Sequence, residues 1–159
     1  GARTASRVLA LDGVTNSQNV GMIVRSAVAA GMDALLWPTT GSPWINGLVV
    51  KASAATVLRC PVVRCADLVQ GLVALHGAGF SLIGLTGEGE AALSDHVPPH
   101  RAVYVVGSET KGLSEGVRAL LDTRIRIPMH GGVESLNVAV AASLVCFHVA
   151  ERSPGDGTR

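Results

Sequence analysis

Short apolar runs alternate along this chain with segments in which apolar residues recur every three or four positions. Runs of the first kind are typical of buried strands, whereas the second spacing is typical of an amphipathic helix. The runs predict strands over residues 7–11, 34–37, 61–63, 80–85, 101–106 and 124–127. The helical spacing predicts helices over residues 20–31, 46–55, 67–76, 114–121 and 137–150.

The alternation of strands and helices predicts an α/β fold with a mostly parallel sheet and helices on both of its faces. The length of 159 residues fits one domain, so we expect a single unit over residues 1–159 with a frayed tail over residues 151–159. The sequence starts without Met, directly before a strand. We therefore also expect a fragment of a longer chain that lacks an N-terminal recognition domain.

In such sheets, ligands bind outside the carboxyl ends of the strands. The chemistry is therefore expected in the loops that begin at Asp12, Thr86, Gly107 and Pro128.

The composition narrows the class of protein without defining its function. Hydrophobic residues make up 48% of the chain and charged residues 16%, a balance that favours a compact globule. A net charge of +1 argues against a broad non-specific nucleic-acid surface but leaves room for local basic clusters. No apolar stretch reaches the roughly 20 residues of a membrane span, and no signal peptide is visible. We expect a soluble, cytoplasmic protein.

The cysteines indicate neither a disulfide framework nor a metal site. Cys60, Cys65 and Cys146 are an odd number, form no CxxC pair and have no His at zinc-ligand spacing. We predict three buried or half-buried free thiols and no metal.

The first loop with candidate chemistry leads into the first helix. Asn19 is a candidate cap for that helix, and Gly21 permits close approach of backbone or ligand. Arg25 follows beside an apolar stripe, where an arginine is usually a solvated flank. The polar loop directly before the helix makes a functional role for Arg25 more plausible.

The second loop starts at Gly107, directly after the clearest strand. It resembles a phosphate-binding P-loop, but that motif needs Lys straight after its second glycine, where this chain has Leu113. A second imitation, Gly87-Glu-Gly89, looks like a dinucleotide fingerprint. Pro98 and Pro99 leave too little room for the helix that would receive a pyrophosphate.

The third loop joins the strand that ends at Ile127 to the last helix. Either Ser135 or Asn137 is expected to be the N-cap of that helix. A Pro-Met step, two glycines and a polar Ser-Leu-Asn segment form a wide backbone-lined cradle, which suits a flat uncharged base such as adenine.

Together the three loops resemble the SpoU (TrmH) branch of the SPOUT methyltransferases in order and spacing. The match comprises Asn19-Val-Gly21 with Arg25-Ser-Ala27, Val106-Gly107-Ser-Glu109 with Gly112-Leu113, and Ile127-Pro-Met129 with Ser135-Leu-Asn137-Val. It covers the chain from about Val8 to Ala150. The resemblance implies a C-terminal deep trefoil knot, a rare exception to unknotted topology.

The resemblance also implies a cofactor and a set of site residues. S-adenosylmethionine would be surrounded by backbone near a set of loop residues, namely Thr86, Gly107, Ile127, Met129, Leu136 and Asn137. The catalytic residues that the resemblance implies would face the ribose, namely Asn19, Arg25, Glu109, Ser135 and Asn137. Because family sites are completed across a homodimer, the first and last helices would form the interface through faces rich in Ala and Val.

The activity that the resemblance implies is methylation of a ribose 2′-hydroxyl in rRNA or tRNA. A guanidinium is permanently charged and has no acceptor, so we expect Arg25 to bind the adjacent phosphate and stabilise developing alkoxide rather than act as base. Two alternatives stay open. One is base-nitrogen methylation on the same fold, and the other is an RNA-binding module without turnover.

One departure from the family concerns the turn after the second predicted strand. The family often has a Ser-Ala-Gly or Ser-Arg-Gly step there, whereas this chain reads Lys51-Ala-Ser53-Ala-Ala55. A glycine-dependent turn is therefore expected to differ.

Overall fold

The computed structural model describes residues 6–153, in which seven strands form one sheet. The strands are β1 (Ser6–Asp12), β2 (Ala34–Pro38), β3 (Val62–Cys65), β4 (Ser81–Leu85), β5 (Ala91–Ala92), β6 (Arg101–Gly107) and β7 (Thr123–Arg126). Their order across the sheet is β3-β2-β1-β6-β4-β7-β5, and every pairing between them is parallel. The predicted parallel sheet is confirmed.

The helices are α1 (Ser17–Ala29), α2 (Gly47–Ala52), α3 (Leu68–Gly77), α4 (Glu115–Arg118) and α5 (Val138–Arg152), with 3-10 turns at Thr56–Arg59 and Leu93–Asp95. Each corresponds to a predicted helix, but α4 is a single turn rather than the predicted 114–121. The strand β5 was not predicted, because two residues are too few to show a periodicity.

Alternate side chains of the central strands point to opposite faces of the sheet. Leu9 and Leu11 of β1 belong to a buried cluster with residues of α1 and α5. Val8 and Ala10 belong to a second cluster with residues of α3 and α4. Because successive residues of a strand face opposite sides, the two clusters lie on the two faces, and the predicted helices on both faces are confirmed.

The C-terminal end of the chain differs from the prediction. Glu151 and Arg152 belong to the last turn of α5, and Arg152 donates a hydrogen bond to the Ser94 carbonyl at 3.1 Å. The predicted tail is therefore wrong for these two residues, and the rest of it, from residue 154, lies outside the described residues. The trefoil knot stays a prediction.

The turn after α2, which lacks the glycine often found in the family, has a strained backbone. Ala54 and Ala55 adopt φ angles of 50° and 62°, the left-handed region that side chains other than glycine enter at a cost. For an L-residue that cost is roughly 1–2 kcal/mol.

Replacing Ala55 with glycine is therefore expected to raise the free energy of unfolding by about 0.5–1 kcal/mol, since the relief of strain exceeds the added entropy of the unfolded chain. Urea denaturation measures the change. Ala74→Gly in the exposed face of α3 is the matched control and should lower stability by about 1 kcal/mol. Equal destabilisation by both variants would contradict the assignment of strain.

Candidate active site

A cavity of about 610 Å³ opens where β4, β6 and β7 end. Carboxyl ends of parallel strands meet at one edge of the sheet, so the three loops that follow these strands converge there. The lining residues are Leu85, Thr86, Gly87, Glu88, Val106, Gly107, Ser108, Glu109, Gly112, Leu113, Arg118, Arg126, Ile127, Pro128, Met129, Glu134, Ser135, Leu136, Val138 and Ala141. The volume lies in the range of small-molecule sites, roughly 300–1,000 Å³.

Five of the six residues predicted to surround a cofactor line this cavity together: Thr86, Gly107, Ile127, Met129 and Leu136. The sixth, Asn137, is not part of the cavity wall. Two residues predicted to face the substrate, Glu109 and Ser135, also line it. The structure thus brings together positions that are up to 50 residues apart in the chain. Their roles stay predictions.

Glu109 connects the three sequence motifs. Its Oε1 accepts hydrogen bonds from Asn137 Nδ2 at 3.0 Å, from the Val138 backbone N–H at 3.1 Å and from Asn19 Nδ2 at 3.4 Å. Asn137 Nδ2 also donates to Asn19 Oδ1 at 3.1 Å. A carboxylate at the start of α5 is stabilised by the unpaired backbone N–H groups there. The network fixes α1, the loop after β6 and α5 relative to one another.

The caps of the two helices differ in part from the prediction. Asn137 caps α5, since its Oδ1 accepts from Ala139 N at 2.9 Å and Val140 N at 3.2 Å, whereas Ser135 is not the cap. The prediction that Asn19 caps α1 is wrong. Asn16 is the cap and accepts from Asn19 N at 3.0 Å, which leaves the Asn19 side chain free to reach Glu109.

Gly21 allows a close approach of protein rather than of ligand. A Cβ at this position would lie 2.6 Å from Ala52 Cβ and 2.9 Å from the Val49 carbonyl oxygen, both in α2. Glycine therefore lets α2 pack against α1, the helix that carries Asn19 and Arg25.

Arg25 is not part of the cavity within its own chain. Its side chain is exposed on α1 and is absent from the cavity wall, and it forms no hydrogen bond or ion pair with the rest of residues 6–153. The prediction that Arg25 joins Glu109 and Asn137 is therefore not met within one subunit.

Charged residues of the cavity wall were missed by the sequence reasoning. Glu88 and Arg118 approach each other at 3.6 Å, Arg126 donates to the Gly89 carbonyl at 2.9 Å, and Glu134 lies in the third loop. The available signal was the position of Glu88 just beyond a predicted strand, on the edge where ligands bind. The resemblance to a dinucleotide fingerprint drew attention to the neighbouring glycines instead.

The thiols offer no nucleophile to this cavity. Cys146 is buried, and burial raises the pKa of its thiol to about 12, while burial also raises the pKa of half-buried Cys60 and Cys65. Because the thiolate is the reactive form of a thiol, a raised pKa lowers the reactive fraction of all three cysteines near neutral pH. The predicted set of three buried or half-buried free thiols is confirmed.

Two further findings concern the described part of the chain as a whole. In residues 6–153, no group of three or more His, Cys, Asp or Glu side chains is arranged to hold a metal ion. None of the helices in that range has the length and apolar character needed to cross a bilayer.

The fold and the site together define an α/β protein with a ligand cavity built by three loops at the carboxyl edge of a parallel sheet. A sequence profile of the SpoU rRNA Methylase family matches residues 6–147. The chain belongs to this family. It is 38% identical, over 97% of its length, to the "23S rRNA (guanosine-2'-O-)-methyltransferase RlmB" of Xanthomonas campestris, of which it covers 62%. The chain thus spans about three-fifths of that relative.

Solved structures agree with this family. A putative RNA methyltransferase of the TrmH family from Porphyromonas gingivalis superposes with a TM-score of 0.84 at 32% identity, covering 94% of this chain and 61% of that one. The SpoU methyltransferase AviRb from Streptomyces viridochromogenes, solved in complex with AdoMet, superposes with a TM-score of 0.82 at 28% identity, covering 95% of this chain and 61% of that one.

Proposed function

We propose that this chain is the catalytic domain of an enzyme that transfers a methyl group from S-adenosylmethionine to a ribose 2′-hydroxyl of rRNA or tRNA. The observation that carries the proposal is the convergence of all three sequence motifs, with the loops after β6 and β7 lining one cavity and Asn19, Glu109 and Asn137 joined at its rim. The activity for which the Xanthomonas campestris relative is named supports it. The proposed domain is the single unit over residues 1–159, and the one sheet within the described residues 6–153 supports it.

The residues of the cavity fit this cofactor. Apolar side chains and backbone of the loops suit an adenine ring, which needs flat contacts and backbone hydrogen bonds. Glu88, Glu109 and Glu134 provide three carboxylates beside the two guanidinium groups of Arg118 and Arg126. Both signs of charge suit a ligand that carries a sulfonium, an ammonium and a carboxylate. When bound, the cofactor supplies an electrophilic methyl group.

Two glycines of the cavity test this fit. A Cβ at Gly107 would overlap the carbonyl group of Gly112, whereas a Cβ at Gly87 meets nothing within 4 Å. Gly107→Ala should lower the free energy of unfolding by about 1–3 kcal/mol, because one of two backbone segments must move, and should abolish calorimetric binding of S-adenosylhomocysteine. The control Gly87→Ala should fold with unchanged stability. A Gly107→Ala variant that binds the ligand normally would contradict the proposed location.

The chain's own residues would then position the substrate. The Asn19, Glu109 and Asn137 network holds the helix ends that flank the cavity, and orientation of reacting groups can supply roughly 7–11 kcal/mol. Arg25 of a second copy would bind the phosphate beside the target nucleotide and stabilise the developing alkoxide. This division of roles requires a homodimer.

An apolar stripe on α5 supports the homodimer. The Ala-rich and Val-rich faces of α1 and α5 are used within the chain, where both helices contribute to one buried cluster and Ser26 and Ser143 hydroxyls lie 2.6 Å apart. These faces therefore cannot form the dimer interface expected from the sequence, and we propose that other residues of α5 form it. Val140, Leu144 and Phe147 recur at helical spacing on α5 and are 44–45% exposed.

Leu144→Glu is expected to convert a dimer into a monomer in sedimentation experiments, because a charge on this stripe opposes burial. Val73→Glu is the matched control, since Val73 is 52% exposed on α3, away from α5, and the change should leave the dimer intact. A wild-type chain that sediments as a monomer would refute the proposed assembly.

Methyl transfer followed by nucleoside mass spectrometry tests the activity. The experiment supplies labelled S-adenosylmethionine to RNA from cells that lack the gene and then maps the modified nucleotide. A methyl on ribose supports the proposal, and a methyl on a base nitrogen would replace it by the first alternative. Absence of S-adenosylhomocysteine binding by the folded chain would favour the RNA-binding module.

A cytoplasmic location belongs to the same proposal, because the proposed substrates, rRNA and tRNA, are RNAs of translation.

A further inference from the structure

An exposed tryptophan lies at the carboxyl edge of the sheet, away from the cavity. Trp44, in the loop between β2 and α2, is 44% exposed. Its ring stands edge-to-face against buried Trp37, with centroids 4.8 Å apart and planes at 64°. Trp37 Nε1 donates to the Pro43 carbonyl at 2.9 Å, which anchors the loop directly before Trp44. The exposed ring is therefore held in a fixed orientation.

A guanidinium group stacks on this ring. Arg64, on the edge strand β3, places its Cζ 3.7 Å from the centre of the Trp44 ring. Arg64 is exposed and forms no ion pair with the other residues of the described range. The stack therefore combines an aromatic ring with a planar cation whose charge is not neutralised by a neighbouring carboxylate.

The segment around this stack is basic. Residues 34–66 contain Lys51, Arg59 and Arg64 and no Asp or Glu, in a chain whose formal net charge is only +1. The acidic residues that flank the segment are engaged, since Asp33 accepts from the Arg7 backbone N–H and Asp67 caps α3 through the Gln70 N–H. The absence of acidic residues leaves residues 34–66 with a formal charge of +3, and an excess of positive charge matches a polyanion.

The stack lies on the same edge of the sheet as the cavity. Asn46 Nδ2 donates to Ser17 Oγ at 3.1 Å, which ties the Trp44 loop to the start of α1, two residues before Asn19. β3 is three strand spacings from β6, or roughly 14 Å along the edge. A few nucleotides of extended RNA bridge such a distance.

We propose that Trp44 and Arg64 form a platform on which an unpaired base of single-stranded RNA stacks, a few nucleotides from the methylated residue. Stacking on aromatic rings and guanidinium planes is the usual way in which proteins hold unpaired bases, and it does not depend on base identity. The position of the target nucleotide relative to this platform rests on the proposed function. The stacking itself does not.

Tryptophan fluorescence tests the platform directly, because the chain has two tryptophans and Trp37 is fully buried. A short oligoadenosine RNA should quench the emission of the wild-type chain. Trp44→Phe, which keeps an aromatic ring, should bind the same RNA without quenching of the remaining Trp37. A duplex RNA of equal length should bind more weakly and quench less.

Affinity for the same oligonucleotide, measured by fluorescence anisotropy of a dye on the RNA, provides the second readout. Trp44→Leu should raise the Kd about five- to a hundredfold, Trp44→Phe should recover most of the affinity, and Arg64→Ala should weaken it as well. The matched control is Arg101→Ala, because Arg101 stacks on Phe80 at 4.5 Å at the amino end of β6. This control should bind RNA normally.

Three results would overturn the platform. They are RNA binding without quenching in the wild type, a normal Kd in Trp44→Leu, and a change of oligomeric state in that variant, which would show that a protein surface covers Trp44. Should Trp44→Leu fail to fold, Arg64→Ala and the wild-type quenching decide the same question. If the chain binds the cofactor and methylates ribose normally but RNA does not quench Trp44, the platform is refuted and the proposed function is not. If RNA quenches Trp44 but the chain binds no cofactor, the proposed function is refuted and the platform is not.

Discussion

Replacing Arg25 with alanine is expected to lower kcat for methyl transfer by about a hundred- to a thousandfold while the affinity for S-adenosylhomocysteine stays nearly unchanged. Arg25 is exposed and lies outside the cavity of its own chain, so its loss removes no contact from the cofactor side. A guanidinium can hold a phosphate by a paired hydrogen bond and stabilise an oxyanion, but it has no acceptor for a proton.

Single-turnover methylation and calorimetry measure the two quantities separately. Gln18→Ala, also exposed on α1, is the matched control and should retain full activity. Parallel loss of transfer and of cofactor affinity in Arg25→Ala would refute the assignment, because it would place Arg25 within the cofactor site.

Replacing Glu109 with alanine is expected to reduce methyl transfer by about a hundredfold or more and to lower the free energy of unfolding by about 1–2 kcal/mol. One carboxylate oxygen accepts from Asn19, Asn137 and the N–H of Val138, so its removal releases three groups at once. The expected loss of stability is small because solvent screens the interactions of the exposed Glu109 side chain.

The rate of methyl transfer at saturating cofactor and the free energy of unfolding from urea denaturation measure these two effects of Glu109→Ala. Glu90→Ala is the matched control, since Glu90 is another exposed carboxylate and the change should affect neither quantity. A Glu109→Ala variant with normal kcat would show that the network is not needed to position the substrate.

Mixed dimers of the two variants separate action within a subunit from action across the interface. If Arg25 serves the cavity of the second copy, an Arg25→Ala subunit paired with a Glu109→Ala subunit contains one complete site, and activity partly returns. If Arg25 serves its own chain, neither site is complete and the mixture stays inactive. Neither variant alone should show this recovery.

The element pattern was predictable because strands and helices of this chain carry strong periodicities. Within residues 6–153, the five helices and six of the seven strands were anticipated, and β5 escaped because two residues carry no period. The motifs predicted six residues around the cofactor, and the structure places five of them, Thr86, Gly107, Ile127, Met129 and Leu136, on one cavity wall that does not include Asn137. The charged wall residues Glu88 and Arg118 escaped, because Glu88 lies within the dinucleotide fingerprint that was rejected and Arg118 belongs to no spacing that implies a ligand.

The caps show where local sequence stops being decisive. Asn16 and Asn19 are both good capping residues at the start of α1, and the sequence does not separate them. The choice is made by a residue 90 positions away, since Glu109 engages the Asn19 side chain while Asn16 takes the cap. At Ala54 and Ala55, in contrast, local sequence is decisive. The lack of a glycine in this turn is evident from the sequence, and the backbone strain that results is confined to these two residues.

What the sequence determined by itself was the parallel α/β architecture and the three motifs that indicate the family, because both follow from short-range spacing of residue types. Only the tertiary structure showed that Glu109 joins Asn19 to Asn137 and that Arg25 lies outside its own cavity. It also placed Arg64 on Trp44. These relations depend on contacts between residues far apart in the chain, and such contacts are set by the strand order β3-β2-β1-β6-β4-β7-β5, which no local pattern contains.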